Sequence, residues 1–388
     1  MTARDGAPLK VAMLTREYPP EVYGGAGVHV EYLARALAGL VDLTVHCQGA
    51  DRPGAVAHRP WPQLAAANPA IQTISTELSM AAATTGADLV HSHTWYASLG
   101  GHLSGLLNGI PHVMTAHSLE PMRPWKAEQL GGGYAISSWC ERTAMESATA
   151  VIAVSRGMCA DILMTYPGIP ADRVHVIHNG IDTEQYAPDP GRDVLDRYGI
   201  DPGQPSVVFV GRVTRQKGLQ VLLRAADQLA PEAQLVLCAG QADTPELQAE
   251  VSGLVEHLRT TRSGVIWLPG MLAKTEVIQI LSQATVFVCP SLYEPLGIVN
   301  LEAMACATAV VATAVGGIPE VVANGSTGLL VPPDDEAALA GAINELMADP
   351  ARAAEMGARG RERAVTEFGW DAIAEQTARL YASLARSG

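Results

Sequence analysis

The chain has 388 residues, of which 48% are hydrophobic and 17% are charged. This length suffices for two domains with large cores, and the composition favours buried parallel sheets and argues against disorder. The formal net charge is −14 and no long basic run is present, which argues against non-specific binding to nucleic acid or to an anionic membrane.

Short apolar runs typical of strands alternate with longer helical patterns along the whole chain. This alternation predicts an α/β protein whose parallel sheets carry helices on both faces. The predicted strands of the first half are residues 9–15, 41–47, 88–91, 112–116, 151–155 and 174–177. Those of the second half are residues 206–211, 234–239, 265–268, 286–290, 309–313 and 328–331.

Twelve strands are too many for one ordinary sheet, and a Pro/Gly-rich interval divides them six and six. We therefore predict an N-terminal domain over 1–186, a linker over 187–205 and a C-terminal domain over 206–369. We expect residues 370–388 to form a helix that packs back on the first domain. Ligands of doubly wound sheets bind beyond the carboxyl ends of the strands, so two such domains would share a central cleft.

A glycine-rich loop follows the first predicted strand. Gly24, Gly25 and Gly27 let the backbone approach a ligand at the start of a helix, although an ordinary turn explains them equally well. The spacing is not that of the dinucleotide fingerprint, and the loop is too long for it. An NAD-dependent dehydrogenase is therefore disfavoured.

Histidines end two neighbouring strands of the first half. His91 and His93 stand at i, i+2, but no third ligand follows at a convincing spacing, so we predict no metal site. Trp95 and Tyr96 come next and suit either the core or a sugar-binding platform. His117 ends the following strand, where a structural role and a functional one are equally supported.

A basic loop flanked by glycines follows the first strand of the second half. Arg212 and Lys217 would project from it, and two fixed cations can hold a diphosphate and stabilise its charge as it departs. A solvated basic turn is the simpler interpretation of the loop alone. Its position at the end of a predicted strand favours the functional one.

Two glutamates bracket a Pro-Leu-Gly break directly after the strand over 286–290. The amides of Gly297, Ile298 and Val299 would be free at the start of a helix, where an anion binds well. Glu302 lies one turn further on and could accept hydrogen bonds from a ribose, while Glu294 lies where a hexose would sit. Taken alone, this spacing also fits ordinary surface glutamates.

Several motifs are absent from the sequence. It has no Asp-x-Asp pair for a metal-bound nucleotide diphosphate, no P-loop and no Gly-x-Ser-x-Gly elbow. The six cysteines include no Cys-x-x-Cys pair, and we expect them to be reduced and buried. The N-terminus lacks the apolar core of a signal peptide, and no apolar run could span a bilayer, so we expect a soluble, cytoplasmic protein.

Taken together, these segments resemble the retaining glycosyltransferases with the GT-B fold. The resemblance covers essentially the whole chain and rests on six segments in the same order. They are Gly24-Gly25, His117, His178-Asn-Gly180, Arg212 with Lys217, Glu294 with Glu302, and the glycine-containing stretches 316–320 and 324–331. The resemblance implies two Rossmann-like doubly wound domains facing a central cleft.

A narrower resemblance links residues 115–134 and the following Ser-Ser-Trp-Cys-Glu-Arg-Thr to the actinobacterial glycogen-synthase-type enzymes. It implies an α-1,4-glucosyltransferase that moves glucose from ADP-glucose, or UDP-glucose, to glucose 1-phosphate and so forms α-maltose 1-phosphate. The alternatives are a glycogen synthase that extends α-1,4-glucan, the same fold with another acceptor, a nucleotide-sugar epimerase, and a silent nucleotide-sugar-binding protein.

The resemblance also implies roles for individual residues. Catalytic roles fall on His117, Arg212, Lys217 and Glu294, and donor contacts fall on Gly24, Gly25, Asn179, Gly297, Ile298, Val299 and Glu302. Such enzymes retain configuration without an evident nucleophile, by front-face attack within a short-lived ion pair. They need no metal and no other cofactor.

The acceptor side is less well defined by the sequence. A sugar phosphate requires cations, and a glucan favours aromatic platforms; the chain offers both kinds of residue. The acceptor candidates are Arg16, Tyr18, His93, Trp95 and Lys126, with Tyr96, Arg123, Trp125 and Arg142 as further possibilities. The expected partners are thus a nucleotide sugar and glucose 1-phosphate or α-glucan, with no nucleic acid and no membrane. A homodimer is a further prediction.

Overall fold

A computed structural model of the protein describes residues 7–22, 24–124 and 131–387. The chain divides into two compact units, with one boundary after Gly180 and a second before Trp370. The segment that we expected to be a linker, residues 187–205, carries the helix Asp193–Tyr198 and belongs to the second unit. The two units are described separately below.

The first unit contains a seven-stranded parallel sheet in the order β3-β2-β1-β4-β5-β6-β7. Its strands are β1 Lys10–Thr15, β2 Asp42–Gln48, β3 Val56–His58, β4 Leu89–His93, β5 His112–Ala116, β6 Ala150–Ala153 and β7 Val174–Val176. The helices between them are α1 Gly25–Leu37, α2 Pro69–Ala83, α3 Trp95–Asn108, α4 Gly133–Ser147 and α5 Arg156–Thr165. The inner strands β4 to β6 are buried along their whole length, as expected of a sheet that helices cover on both faces.

The second unit contains a six-stranded parallel sheet in the order β10-β9-β8-β11-β12-β13. Its strands are β8 Ser206–Val213, β9 Gln234–Ala242, β10 Val265–Leu268, β11 Val286–Cys289, β12 Ala309–Thr313 and β13 Gly328–Val331. Its helices are α6 Asp193–Tyr198, α7 Leu219–Ala225, α8 Pro245–Thr261, α9 Lys274–Gln283, α10 Ile298–Ala305, α11 Ile318–Val321, α12 Glu336–Ala348 and α13 Pro350–Glu367. All twelve predicted strands are confirmed, and β3 is an additional one.

The last helix, α14 (Trp370–Ser387), belongs to the first unit. Trp370 stacks on Tyr32 of α1 with ring centroids 5.8 Å apart and planes 8° from parallel. The Tyr381 hydroxyl lies 2.5 Å from Nδ1 of His91 on β4. The hydrophobic core of the first unit therefore includes residues from both ends of the chain.

Both sheets reverse their direction of growth at one point, between β1 and β4 in the first unit and between β8 and β11 in the second. In doubly wound sheets, the connections on the two sides of such a point leave in opposite directions and open a crevice at the carboxyl ends of the strands. The loops after β1, β4, β8 and β11 are therefore the ones that can bind ligands. No helix in the described part of the chain is long and apolar enough to cross a membrane.

Candidate functional site

The basic loop after β8 is fixed against the end of β11 by backbone contacts. Gly218 has a φ of +64°, and a β-carbon there would lie 2.0 Å from the carbonyl oxygen of Pro290. The Leu292 amide also donates to the Gln216 carbonyl at 2.9 Å. Only glycine permits this approach at position 218. The two loops at the switch point therefore form one structure.

Within that structure, Lys217 and Glu294 form a largely buried ion pair. Nζ of Lys217 lies 2.6 Å from Oε2 of Glu294, and the side chains are 17% and 8% exposed. Ser291 Oγ donates to the same carboxylate oxygen at 3.2 Å. Burial is the largest single effect and lowers the pKa of Lys217, but the charge and hydrogen bond of Glu294, together with Cys289, raise that pKa above its usual value of 10.5. Lys217 is thus a fixed cation at neutral pH.

Two glycines that follow β12, Gly316 and Gly317, contact the backbone of Glu294. Gly316 has a φ of +53°, and a β-carbon there would lie 2.0 Å from the Glu294 carbonyl oxygen. The Gly317 amide donates to the same oxygen at 3.0 Å. The glycines after β12 therefore position Glu294, a contact that the sequence motif did not reveal.

Helix α10 begins directly after Gly297, whose φ is +91°. The first amides of a helix have no acceptor within it, so those of Ile298 and Val299 are available to an anion. Glu302, one turn further on, accepts a hydrogen bond from the hydroxyl of Tyr186 at 3.0 Å. Burial raises the pKa of Glu302 to about 7, and the Tyr186 hydroxyl partly opposes this effect by binding the ionised form.

Arg212 lies near the end of β8 and is 38% exposed. Its Nη1 lies 3.9 Å from Oδ1 of Asp243, which follows β9. Asp243 also lines a cavity of about 630 Å³ together with Thr244 and Trp267, which the sequence did not indicate. Arg212 is thus the more accessible of the two predicted diphosphate ligands.

In the first unit, the glycine-rich loop after β1 is occupied by a side chain of its own. Oε2 of Glu17 accepts a hydrogen bond from the Gly24 amide at 2.8 Å and lies 2.7 Å from where a β-carbon on Gly27 would be. The carboxylate fits the positive end of α1, which begins at Gly25. The Gly24 amide, a predicted donor ligand, is therefore bonded to Glu17 in this structure.

Arg16 presents an oriented cation beside the same loop. Its guanidinium carbon lies 4.2 Å from the centroid of the Tyr96 ring, a cation–π arrangement, and the side chain is exposed. Gln48 donates two hydrogen bonds to backbone carbonyls. Its backbone N–H bonds to the Arg16 carbonyl at 3.1 Å, and its side-chain Nε2 bonds to the Tyr96 carbonyl at 2.9 Å. These two hydrogen bonds from Gln48 thus connect the loop of Arg16 to the start of α3.

Other acceptor candidates occupy different environments. Trp95 is 1% exposed and His93 is fully buried. Direct contact of these two residues with an acceptor stays a prediction. The sequence alternation did not show that α3 turns Trp95 inward. Tyr18 is partly exposed, and its carbonyl accepts from Arg52 at 2.6 Å. Trp125 and Lys126 lie outside the described residues.

The two remaining basic candidates differ from each other. Arg123 forms an ion pair with Glu120, a fully buried residue, and its side chain is only 14% exposed. Its charge is therefore used within the fold. Arg142, on α4, is exposed.

His117 lies in a group of buried histidines. Its Nε2 is 3.0 Å from Nδ1 of His93, and its ring meets that of His29 edge to face at 4.7 Å. Burial, together with the neighbouring imidazoles, lowers the pKa values of His93 and His117 well below 6.5, so both rings are neutral at pH 7. Burial lowers the pKa of His29 to about 3, and the buried Asn179 partly opposes this.

We predicted no metal site because His91 and His93 have no third ligand at a convincing spacing. In the structure, both nitrogens of His91 are engaged, by Tyr381 and by Thr115. The structure instead brings His29 and His117 to His93, with one nitrogen of each ring within 4.8 Å of the others. His29 lies far away in the sequence on a helix, so spacing gave no signal for it.

Comparisons with known proteins show the family and the fold of the chain. Residues 193–363 match the family described as glycosyl transferases group 1, and residues 23–185 match glycosyltransferase family 4. The chain is 60% identical over 382 residues to the alpha-maltose-1-phosphate synthase of Mycolicibacterium smegmatis, covering 96% of this chain and 99% of that protein. It is 29% identical to the glycogen synthase of Mycobacterium tuberculosis over 97% of this chain and 95% of that protein.

Among solved structures, the sucrose-phosphate synthase of Thermosynechococcus elongatus superposes with a TM-score of 0.79 at 27% identity. The match covers 98% of this chain and 100% of the other.

We predict that Tyr186→Phe raises the pKa of Glu302 above its value of about 7, because the ionised carboxylate loses a hydrogen-bond donor. The carboxyl carbon of Glu302 can be titrated by ¹³C NMR in both proteins. Tyr198→Phe, which removes a hydroxyl bonded to Glu276 at 2.9 Å, is the matched control and should leave Glu302 unchanged.

The raised pKa of Glu302 also makes the free energy of unfolding depend on pH. The folded-state pKa of Glu302 lies above the value of about 4.3 for an unfolded chain. This carboxyl therefore stabilises the fold fully below about pH 4.3, and the contribution is lost as the pH rises through about 7. In Tyr186→Phe the loss should extend to higher pH. An unchanged Glu302 titration would show that the hydroxyl does not bind the carboxylate.

Proposed function

The chain belongs to the glycosyltransferase family that contains the alpha-maltose-1-phosphate synthases, and its two Rossmann-like units are those of the GT-B fold. From this premise we propose that it transfers glucose from ADP-glucose to glucose 1-phosphate and forms α-maltose 1-phosphate for α-glucan synthesis. The observation that carries this proposal is the Lys217–Glu294 pair, which lies at the switch point of the second sheet.

The donor is proposed to bind along the loops after β8 and β11. Lys217 and Arg212 hold the diphosphate, together with the first amides of α10, and neutralise the charge that develops on the leaving group. Glu302 accepts hydrogen bonds from the ribose and Glu294 from the transferred hexose. His117, a neutral imidazole, contacts the same hexose, and Gly25 and Asn179 complete the donor set.

Transfer is proposed to occur with retention of configuration. Glu294 is the carboxylate assigned to the hexose, but its Oε2 is held by Lys217 and Ser291, which reduces its nucleophilicity. Front-face attack within an ion pair fits this restraint better than a covalent intermediate. Since two cations already neutralise the diphosphate, the reaction requires no metal.

The acceptor phosphate is assigned to Arg16. The guanidinium is exposed, and the Tyr96 ring orients it from one side. A planar cation held in this way can bind two phosphate oxygens at once. Extension of α-1,4-glucan is the second candidate, because the chain also resembles a glycogen synthase at lower identity.

We place the reaction in the cytoplasm, since all six cysteines are free thiols. A homodimer stays a prediction from the sequence.

The direct test uses purified protein, ADP-glucose or UDP-glucose, and either glucose 1-phosphate or glycogen. We expect nucleotide release with ADP-glucose and glucose 1-phosphate, and a new phosphorus NMR signal from α-maltose 1-phosphate. Release only with glycogen would identify a chain-extending synthase. Release without any acceptor would instead support donor hydrolysis or epimerisation, and binding without release would identify a silent nucleotide-sugar-binding protein.

Lys217→Ala and Glu294→Ala should each lower kcat by a factor of about 10² to 10³, because each removes a charge aligned with the reacting groups. Each variant also leaves its partner's charge buried and unpaired, so unfolding curves are needed beside the kinetics. Arg215→Ala is the matched control: it removes an exposed cation two residues from Lys217. If a folded variant retained the parental rate, that residue would have no place in the site.

Arg16→Gln should raise the KM for glucose 1-phosphate by about tenfold or more and leave the KM for ADP-glucose unchanged, since it removes one charge-assisted contact. Initial rates with each substrate varied in turn provide the measurement. Arg59→Gln, which removes another exposed arginine of the first unit, is the control. Equal effects on both substrates would contradict the assignment of Arg16 to the acceptor.

A further inference from the structure

Three histidines of the first unit meet although they come from three different elements. His29 lies on α1, His93 ends β4, and His117 follows β5. One nitrogen of each ring lies within 4.8 Å of the others, and the ring centroids are 4.7 to 5.4 Å apart. We refer to these three residues as the histidine cluster.

Two rings of the histidine cluster carry buried nitrogens that have no hydrogen bond of normal geometry with any described residue. They are Nε2 of His93 and both nitrogens of His29, although the buried Asn179 lies beside His29 and raises its pKa. Buried polar atoms in folded proteins nearly always have a partner, and an ion or a water completes the sites where the protein supplies none. This observation is independent of the ring spacing and indicates a missing ligand.

Among the other buried histidines that the structure describes, only His112 shares this property, at its Nδ1, and it belongs to no group of three potential metal ligands. His91 lies next to the cluster, but Tyr381 and Thr115 engage its two nitrogens. His46 and His58 form a pair with nitrogens 3.1 Å apart, and no third ligand joins them among the described residues. Burial of imidazoles alone therefore does not account for the histidine cluster.

The separation within the cluster suits a metal ion. Nδ1 of His93 and Nε2 of His117 are 3.0 Å apart, close to the value of about 3.3 Å between two nitrogens bound tetrahedrally to Zn²⁺ at about 2.0 Å. In the metal-free protein, one proton lies in the hydrogen bond between Nδ1 of His93 and Nε2 of His117. When a metal binds to both of these nitrogens, the ring that carried this proton takes it on its other nitrogen. Each imidazole therefore stays neutral, and no proton leaves the protein.

We propose that His29, His93 and His117 bind one divalent transition-metal ion, of which Zn²⁺ is best suited, and that this ion inhibits the transferase. Three imidazoles leave a fourth tetrahedral position open. His117 is the partly exposed member of the cluster and gives the ion its route of entry. Inhibition follows because the metal takes the lone pair of His117, a step that rests on the proposed contact between His117 and the hexose.

The test starts with chelator-treated protein titrated with Co²⁺, whose visible absorption reports the coordination number. We expect one Co²⁺ per chain with the strong bands of a four- or five-coordinate ion, which Zn²⁺ displaces. His29→Gln should weaken binding by at least about tenfold. His46→Gln, which changes a buried histidine of the same unit outside the cluster, should bind as the parent does. No binding, or equal loss in both variants, would overturn the proposal.

A second measurement needs no variant. In the parent protein labelled with ¹⁵N at histidine, Zn²⁺ should shift the ring nitrogens of three of the eleven histidines. Fewer than three shifted rings would refute the site even if His29→Gln failed to fold.

The activity assay separates this inference from the proposed function. Zn²⁺ should abolish transfer by the parent, a chelator should restore it, and His29→Gln should resist the metal. Metal binding without inhibition would overturn the inhibitory role. If the protein bound Co²⁺ but transferred no glucose under any condition, the metal site would stand and the proposed function would fall.

Discussion

The buried ion pair between Lys217 and Glu294 joins the loops after β8 and β11, and the proposed donor site depends on it. Removing two charges from water is costly, and their attraction offsets that cost only when the geometry is fixed. The sheet order brings β8 and β11 side by side, and glycines at 218 and 316 let the backbones touch. The pair is therefore held in a fixed geometry, and in the proposed function this lowers the reorganisation that catalysis requires.

The first unit buries polar side chains in a neutral form, whereas the second unit buries a pair of opposite charges. The three rings of the first unit's histidine cluster have no charged partner among the described residues, and their lowered pKa values keep them neutral at physiological pH. Neutral imidazoles can donate and accept hydrogen bonds to a sugar or bind a metal, whereas protonated ones can only donate. The second unit thus contains a buried ion pair, whereas the histidine cluster of the first unit consists of neutral polar groups.

The sequence predicted the strands well because each is a short apolar run bounded by turn residues, and it missed β3 because three residues are too few to show a pattern. It predicted the positions of Lys217 and Glu294 from their places after strands. It could not predict contacts between distant residues, such as Tyr186 with Glu302, or the meeting of His29 with His93. Nor could it tell that Trp95 turns into the core, since an aromatic residue beginning a helix fits either side.

The placement of α14 has a consequence for biosynthesis. Trp370 and Tyr381 are part of the core of the first unit, yet the ribosome adds them only after the whole of the second unit. The second unit is contiguous in the chain and can fold as soon as it emerges. The core of the first unit stays incomplete until α14 has been made, so of the two units the one that is begun first is completed second.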